Sequence, residues 1–186
     1  MAMHRTVLTY EDYAALPDDG RRYEIHDGEL SVTPSPGTNH QRVSRNLNAI
    51  LGAHVRTHGL GEVLYAPLDV ILANTTANTT IVQPDLIFIA PAHASRVSRR
   101  GIEGAPTLAV EILSPSTATI DRSRKLQLYA RHGVPYYWIV DPEARTLEAY
   151  ELADGVYRLV SRAAGAASVS LPPFPDLAFV PDSLWP

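Results

Sequence analysis

The chain has no cysteine, a single lysine and no long run of apolar residues. Without cysteine it cannot form a disulfide framework, a thiolate zinc site or a cysteine nucleophile, and this fits a reducing compartment. No segment approaches the length of a membrane span, and the amino terminus lacks the apolar stretch of a secretion signal. These absences predict a cytoplasmic protein with no membrane partner.

The length of the chain limits the number of domains, and its net charge limits the partners it can bind. A chain of 186 residues fits one domain, residues 1–186, with a core at about residues 9–160. The segment 171–186 is rich in proline, and we expect this tail to wrap the surface. A net charge of −4 argues against indiscriminate binding of polyanions, although it is compatible with a local basic groove.

The single lysine, Lys125, stands against fifteen arginines. Lysine is a compact point charge whose pKa falls readily on burial, whereas arginine stays charged and presents a wide planar fork. A group that holds a water molecule or gives up a proton is therefore more easily a lysine than an arginine. The alternative is a lysine on a solvated helix face, where most lysines lie.

Two short apolar segments each carry one carboxylate in the middle. Residues 80–89 contain Asp85, and residues 107–115 contain Glu111. Both segments are rich in β-branched residues, which predicts strands of a sheet covered on both faces. A carboxylate in such a strand is costly unless it is paired, protonated or bound to a metal. The two carboxylates and Lys125 therefore form a candidate site.

The amino-terminal half predicts two helices and a hairpin. Thr9 and Asp12 form a capping-box pattern for a short helix that ends before Pro17. Asp27-Gly28 is typical of a hairpin turn. The apolar spacing predicts a long helix at about residues 39–58, ended by Gly59. The hairpin strands are expected at residues 22–25 and 29–33, and a further strand at 62–72 that is interrupted at Pro67.

The carboxyl-terminal half predicts a helix from about residue 116 to His132, followed by a buried strand at 136–140. With the Glu111 strand, this order implies a right-handed parallel crossover. Lys125 borders the expected core-facing stripe of the helix, from which it would reach Glu111, and Asp121 lies one turn earlier. A closing hairpin is expected at residues 146–152 and 156–160.

Several segments resemble the restriction-endonuclease-like nuclease superfamily, whose signature is Pro-Asp followed by (Asp/Glu)-x-Lys. Pro84-Asp85 and Glu111 fit it, and Leu113 fills the usual lysine position. The full pattern resembles one bacterial branch of restriction-endonuclease-like proteins of long-undefined function. That branch shows a Tyr-Glu-hydrophobic-x-Asp-Gly hairpin, a Val-Glu-hydrophobic-Leu-Ser-Pro-Ser-Thr segment, a lysine-bearing helix and Gly-Val-x-x-Tyr-Trp-Ile-Val-Asp-Pro. The corresponding residues here are 23–28, 110–117, the Lys125 helix and 133–142.

This resemblance covers residues 9–152 and implies an α/β fold: a mixed central sheet with flanking helices and an added N-terminal hairpin. It implies an endonuclease that hydrolyses DNA phosphodiester bonds with a metal-activated water. By the same resemblance, Asp85, Glu111 and the backbone carbonyl of Ile112 bind Mg²⁺ or Mn²⁺, and Lys125, moved to the helix, orients the water or stabilises charge. Hard oxygen ligands favour these ions over zinc. Glu24 resembles the auxiliary acid of the superfamily; its alternative is an exposed hairpin glutamate.

Other interpretations stay open. The chain could be a catalytically silent nuclease-fold protein that acts as a nucleic-acid-binding or oligomerisation module, and a homodimer is compatible with either function. His54 and His58 have the spacing of a helical metal pair, but no third ligand follows, so ordinary histidines are favoured. His40 lines the cleft, caps the long helix or lies on the surface. Arginines on a solvated face could instead contact phosphates: Arg96, Arg99, Arg100, Arg122 and Arg124.

Overall fold

The computed structural model describes residues 7–75 and 77–186, which form a mixed α/β fold with few helices. The helices are α1 (Tyr10–Ala14), α2 (Thr38–His58), α3 (Ala118–Ile120) and α4 (Leu126–Arg131), with 3₁₀ turns at Pro91–Arg96 and Pro181–Leu184. The strands are β1 (Arg22–His26), β2 (Glu29–Thr33), β3 (Glu62–Tyr65), β4 (Val70–Asn74), β5 (Thr79–Val82), β6 (Leu86–Ile89), β7 (Val97–Ser98), β8 (Gly101–Glu103), β9 (Leu108–Ile112), β10 (Tyr136–Asp141), β11 (Thr146–Ala153), β12 (Val156–Ala164), β13 (Val169–Leu171) and β14 (Phe174–Phe179).

The expected α/β fold with mixed sheets is confirmed, and its strands form two mixed six-stranded sheets and a small two-stranded one. The first sheet has the order β2-β1-β5-β4-β8-β7, so the predicted N-terminal hairpin is its edge. The second has the order β12-β11-β10-β9-β6-β3 and contains the expected parallel pair β9 and β10. No helix within the described ranges combines the length and the apolar character that crossing a membrane requires.

Two predicted strands are each divided between the sheets, which corrects the expected position of Asp85. Segment 62–72 splits into β3 and β4, and segment 80–89 splits into β5 and β6. Each split contains a proline, Pro67 or Pro84, which has no backbone N–H for a ladder. Asp85 therefore lies at a crossing between the two sheets, immediately before β6, and not in the middle of a strand.

The long helix α2 covers the second sheet and forms as its sequence predicts. Its buried side chains, Val43, Leu47, Leu51 and Val55, recur every three or four residues and pack on that sheet. Gly59 ends the helix in the left-handed region at φ 63°. The capping box that precedes α1 is also present.

The predicted second helix is continuous from Ala118 to Arg131 but contains a π-helical turn at Asp121–Lys125. A π turn widens the helix by one residue and is frequent at functional sites. Here both ends of the turn, Asp121 and Lys125, are buried. The sequence predicts Lys125 at the border of the apolar stripe, within reach of Glu111. In the structure Lys125 is buried rather than at the border, and the predicted contact with Glu111 is confirmed.

The proline-rich tail does not wrap the surface; it completes the core. β13 and β14 pair with each other, and their apolar side chains join the cluster formed by α2 and the second sheet. Trp138 of β10 donates a hydrogen bond from Nε1 to the carbonyl of Pro172 at 2.7 Å. The tail contributes six buried apolar side chains to this core: Leu171, Phe174, Leu177, Phe179, Leu184 and Trp185.

Candidate active site

Lys125 lies at the centre of a buried group of carboxylates. Its Nζ donates hydrogen bonds to Glu111 Oε1 at 2.9 Å and to Glu24 Oε1 at 3.0 Å, and lies 3.7 Å from Asp121 Oδ1. The three acids come from β9, β1 and the π turn, so three separate segments place their charges around one ammonium. The interpretation of Lys125 as a solvated surface lysine is wrong, since only 4% of the residue is exposed.

Glu24 is held by the first sheet and is not an exposed hairpin glutamate. Besides Lys125, its Oε1 accepts the backbone N–H of Gln83 at 2.7 Å, and its Oε2 lies 3.0 Å from His26 Nε2. Burial alone would raise the pKa of Glu24, but Lys125 and His26 outweigh burial and hold it well below its usual range. Glu24 is therefore the ionised partner of the ammonium.

The pKa of Glu111 is shifted in the opposite direction, above its usual value. Its Oε1 accepts the Lys125 hydrogen bond and a second from Tyr129 Oη at 2.7 Å. Burial raises the pKa of Glu111 to about 8; Lys125 opposes this shift, and the nearby charges of Asp121, Asp85 and Glu24 add to it. The positive charge of Lys125 therefore does not cancel the combined effect of burial and the neighbouring acids on the pKa of Glu111.

The lysine itself stays protonated. Burial would lower the pKa of Lys125, but Glu111, Glu24 and Asp121 raise it above the ordinary lysine value. The sequence interpretation that this residue gives up a proton is therefore wrong for this environment. Its ammonium can act by charge and by position.

Asp85 is bound by His40, for which a position in the cleft was one of the expected roles, and by Arg22, which sequence reasoning did not assign to the site. Both terminal nitrogens of Arg22 lie 3.0 Å from Asp85 Oδ1, while Oδ2 is 3.0 Å from His40 Nε2 and accepts the Ile112 N–H at 2.8 Å. Burial would raise the pKa of Asp85, but His40, Arg22 and the Ile112 N–H together lower it. The sequence could have indicated Arg22. It lies two residues before Glu24, so the two side chains project from the same face of β1.

Asp85 and Glu111 are cross-strand neighbours. The last pair between β6 and β9 is Leu86 with Val110, and one further step of that register brings Asp85 beside Glu111. Their access to solvent differs. Asp85, Arg22, His40 and Ile112 line a cavity of about 240 Å³ together with residues 114–117, whereas Glu111 is buried.

The oxygen atoms of Asp85, Glu111 and the Ile112 carbonyl are hard ligands of the kind that Mg²⁺ and Mn²⁺ prefer. In a strand the N–H and C=O of one residue point to the same neighbour, so the Ile112 carbonyl, like its N–H, points to the β6 side of β9. The acids outnumber the permanently charged cations Lys125 and Arg22. Within residues 7–75 and 77–186 there is no cluster of three or more His, Asp or Glu side chains that could cage an ion. Mg²⁺ typically binds one or two carboxylates and keeps waters or phosphates, so it does not need such a cage.

The remaining sequence candidates lie outside this site. The rings of His54 and His58 stack at 4.4 Å, and His54 packs on Phe174 of the core. Arg96 hydrogen-bonds the Ala105 carbonyl, and Arg122 pairs with acids of the second sheet. Arg124 pairs with Glu29, whereas Arg99 and Arg100 are exposed on a turn that is ordered as the β7–β8 hairpin.

Comparison with known proteins identifies the chain as a member of the Uma2 family, described as "putative restriction endonuclease", whose model matches residues 10–182. An uncharacterized protein of Synechocystis sp. is 28% identical over 149 residues, which cover 79% of this chain and 75% of that protein. The fold is similar to a crystal structure from Anabaena variabilis described as a "putative nuclease belonging to DUF820". The TM-score is 0.76 at 18% identity, over 95% of this chain and 97% of that chain.

Proposed function

We propose that this member of the Uma2 family is a metal-dependent endonuclease that hydrolyses DNA phosphodiester bonds. The observation that carries the proposal is the position of Lys125 between Glu24 and Glu111. The residue after Glu111, Ile112, donates its N–H to Asp85, and both line the cavity. Buried ion pairs are often no more stable than apolar residues of the same size. Stability alone therefore gives no reason for four acids and a lysine in a core, whereas a hydrolytic site does.

The residues that would hold Mg²⁺ or Mn²⁺ are Asp85, Glu111 and the carbonyl of Ile112. When bound, the ion lowers the pKa of a bound water and neutralises charge on the scissile phosphate. Burial, and to a smaller extent the acids around it, raises the pKa of Glu111, and a bound divalent cation would lower that pKa again.

The chain itself supplies position and charge. Lys125, fixed by two hydrogen bonds, presents a permanent ammonium that orients the attacking water or stabilises the charge that develops on the phosphate. Glu24 and Asp121 hold that ammonium in place. Arg22 lines the cavity with a guanidinium fork, which matches the geometry of phosphate oxygens.

The test is conversion of supercoiled plasmid to nicked circles by the wild-type protein with Mg²⁺, with Mn²⁺ and with EDTA. We expect cleavage with either ion, none with EDTA, and none with Glu111→Gln, which keeps the shape of the side chain. Calorimetric titration with Mn²⁺ distinguishes the alternative. A wild-type protein that binds DNA but neither Mn²⁺ nor Mg²⁺, and never nicks, is a silent nucleic-acid-binding module, and the proposal is then wrong.

A further inference from the structure

Three neighbouring cavities follow one another from Asp85 across the surface. A second cavity, of about 370 Å³, shares Asp85, Arg22 and His40 with the first and extends to Tyr65 and Pro67. A third, of about 330 Å³, shares Pro67 and Gln83 with the second and ends at the β7–β8 turn. The three cavities together define the groove.

Tyr65 is the most informative residue in this groove. It is the last residue of β3 and is paired with Leu86, which follows Asp85. The next residue, Ala66, donates its N–H to the Asp85 carbonyl at 3.1 Å, so the backbone position of the ring relative to Asp85 is fixed. The side chain nevertheless remains 60% exposed, and within the described part of the chain its ring contacts no other ring. A fixed backbone thus holds a free aromatic face beside the candidate site.

We propose that Tyr65 is a stacking platform for an unpaired base next to the scissile phosphate, and that the substrate is a DNA strand with unpaired nucleotides at the cleavage position. This inference rests on the proposed function. Aromatic side chains bind single strands by stacking on base faces, which are free only where the base is unpaired and unstacked. Inside a duplex both faces of each base are covered by neighbours, so Tyr65 would have nothing to stack on.

The far end of the groove suits the backbone of the same strand. Arg99 and Arg100 line the third cavity from the turn between β7 and β8. The Arg100 guanidinium lies over the ring of Tyr10, 4.1 Å from its centroid, which holds the turn against α1. Arg99, exposed on the same turn, is then available to a phosphate of the strand that leaves Tyr65. The cavity that contains Tyr65 is lined by two acids, Asp18 and Asp85, and by two arginines, Arg21 and Arg22, so these charges cancel. Stacking rather than net charge should therefore govern affinity there.

The experiment measures binding of fluorescent oligonucleotides in EDTA, where no cleavage occurs: a single strand, the matching duplex, and a strand with one abasic position. We expect Tyr65→Ala to weaken single-strand binding on the order of tenfold and to leave duplex binding unchanged. Tyr65→Phe, which keeps the ring, should bind like wild type. Leu159→Ala, which truncates an exposed residue of β12 outside the groove, is the matched control. All variants change exposed residues and should keep the wild-type melting temperature.

The abasic strand makes the test specific. If a base stacks on Tyr65, an abasic nucleotide at that position should weaken wild-type binding, and Tyr65→Ala should add little further loss, because both changes remove one interaction. Arg99→Gln should instead lower the slope of log affinity against log salt by about 0.7, the value for one phosphate contact in a single strand.

Different experimental results would overturn the stacking role of Tyr65 and the nuclease function. Equal binding of the single strand by wild type and Tyr65→Ala, or a preference for the fully paired duplex, would overturn the stacking role while leaving a metal-dependent nuclease in place. Stronger binding and cleavage of an RNA strand of the same sequence would overturn the assignment to DNA. A wild-type protein that binds no oligonucleotide, in EDTA or in Mg²⁺, removes both proposals.

Discussion

The Nζ of Lys125 lies 2.9 Å from Oε1 of Glu111, and both side chains are almost fully buried. Because Lys125 is buried, water cannot replace Glu111 as its partner. The same oxygen of Glu111 also accepts a hydrogen bond from Tyr129. This pair couples stability to the candidate chemistry, so substitutions within it should change both.

Replacing the lysine by a neutral residue should destabilise the protein. Lys125→Met leaves Glu24, Glu111 and Asp121 without their shared cation, and removal of one partner of a buried ion pair costs roughly 3–5 kcal/mol. We expect a clear drop in the denaturant midpoint at pH 7, together with loss of nicking. The loss should be smaller at pH 5, where the acids are more easily protonated. Unchanged stability would contradict the ion-pair geometry.

Lys125→Arg should impair both stability and nicking, although it keeps the charge. The guanidinium is larger than the ammonium, and overpacking a buried site costs typically 1–3 kcal/mol. A shift of the attacking water by about 1 Å can lower the rate on the order of a hundredfold. The control is Arg131→Lys near the end of the same helix, where the side chain is exposed and pairs with Asp27 at 2.7 Å. That variant should change the unfolding free energy by less than about 0.5 kcal/mol.

Glu111→Gln should change how the metal-free protein responds to pH. Burial raises the folded-state pKa of Glu111 to about 8 from an ordinary value of 4.5. A raised carboxyl pKa contributes stability that is complete below the ordinary value and is lost as pH rises through the folded value. In EDTA, wild-type stability should therefore fall between about pH 5 and pH 8 relative to Glu111→Gln. The measurement is a series of denaturant titrations of both proteins; parallel curves across this range would show that Glu111 is ionised throughout.

Asp85→Asn should weaken metal binding. The amide keeps the shape, but it removes the charge that faces the cavity and replaces one acceptor oxygen among Arg22, His40 and the Ile112 N–H by a donor. We expect Mn²⁺ affinity, measured by calorimetry, to fall at least about tenfold. Asp176→Asn, at an exposed position of β14, removes the same formal charge outside the site and should leave Mn²⁺ affinity unchanged. Equal losses in the two variants would indicate a general effect of net charge.

Alanine substitutions at Gly52, inside α2, and at Gly61, just after it, should change the unfolding free energy in opposite directions. At Gly61, φ is +127° and an added Cβ would lie 2.1 Å from the Ile89 carbonyl oxygen, so Gly61→Ala should destabilise the β3–β6 pairing. At Gly52, inside the helix, the nearest atom to such a Cβ is 3.9 Å away. Gly52→Ala should therefore raise the unfolding free energy by roughly 0.5–1 kcal/mol. Thermal melts of both variants test the pair.

Local patterns predicted much of the fold because their physics is local. The capping box of α1, the turn at Asp27-Gly28 and the apolar stripe of α2 depend on residues within one or two turns of one another, and all are present. The division into two sheets was not predicted. A proline interrupts pairing wherever it occurs, but the sequence does not reveal which sheet the chain joins next. The same limit led us to place Asp85 inside a strand.

The tail shows a similar limit. Its prolines suggested a surface segment, yet Phe174 and Trp185 pack into the core. Composition alone does not say whether an apolar residue between prolines finds a complementary surface, because that surface is formed by α2 and the second sheet, far away along the chain.

For the site, the sequence by itself determined which groups are present: carboxylates in apolar segments, one lysine where arginine is otherwise used, and the segments shared with a nuclease family. Only the tertiary structure decided their charges and neighbours. The π turn buries Lys125 among three acids, which keeps it protonated, and the sheet crossing brings Arg22 and His40 to Asp85. A pKa or an ion pair depends on what surrounds a group in space, and here those surroundings come from segments up to 101 residues apart in the chain.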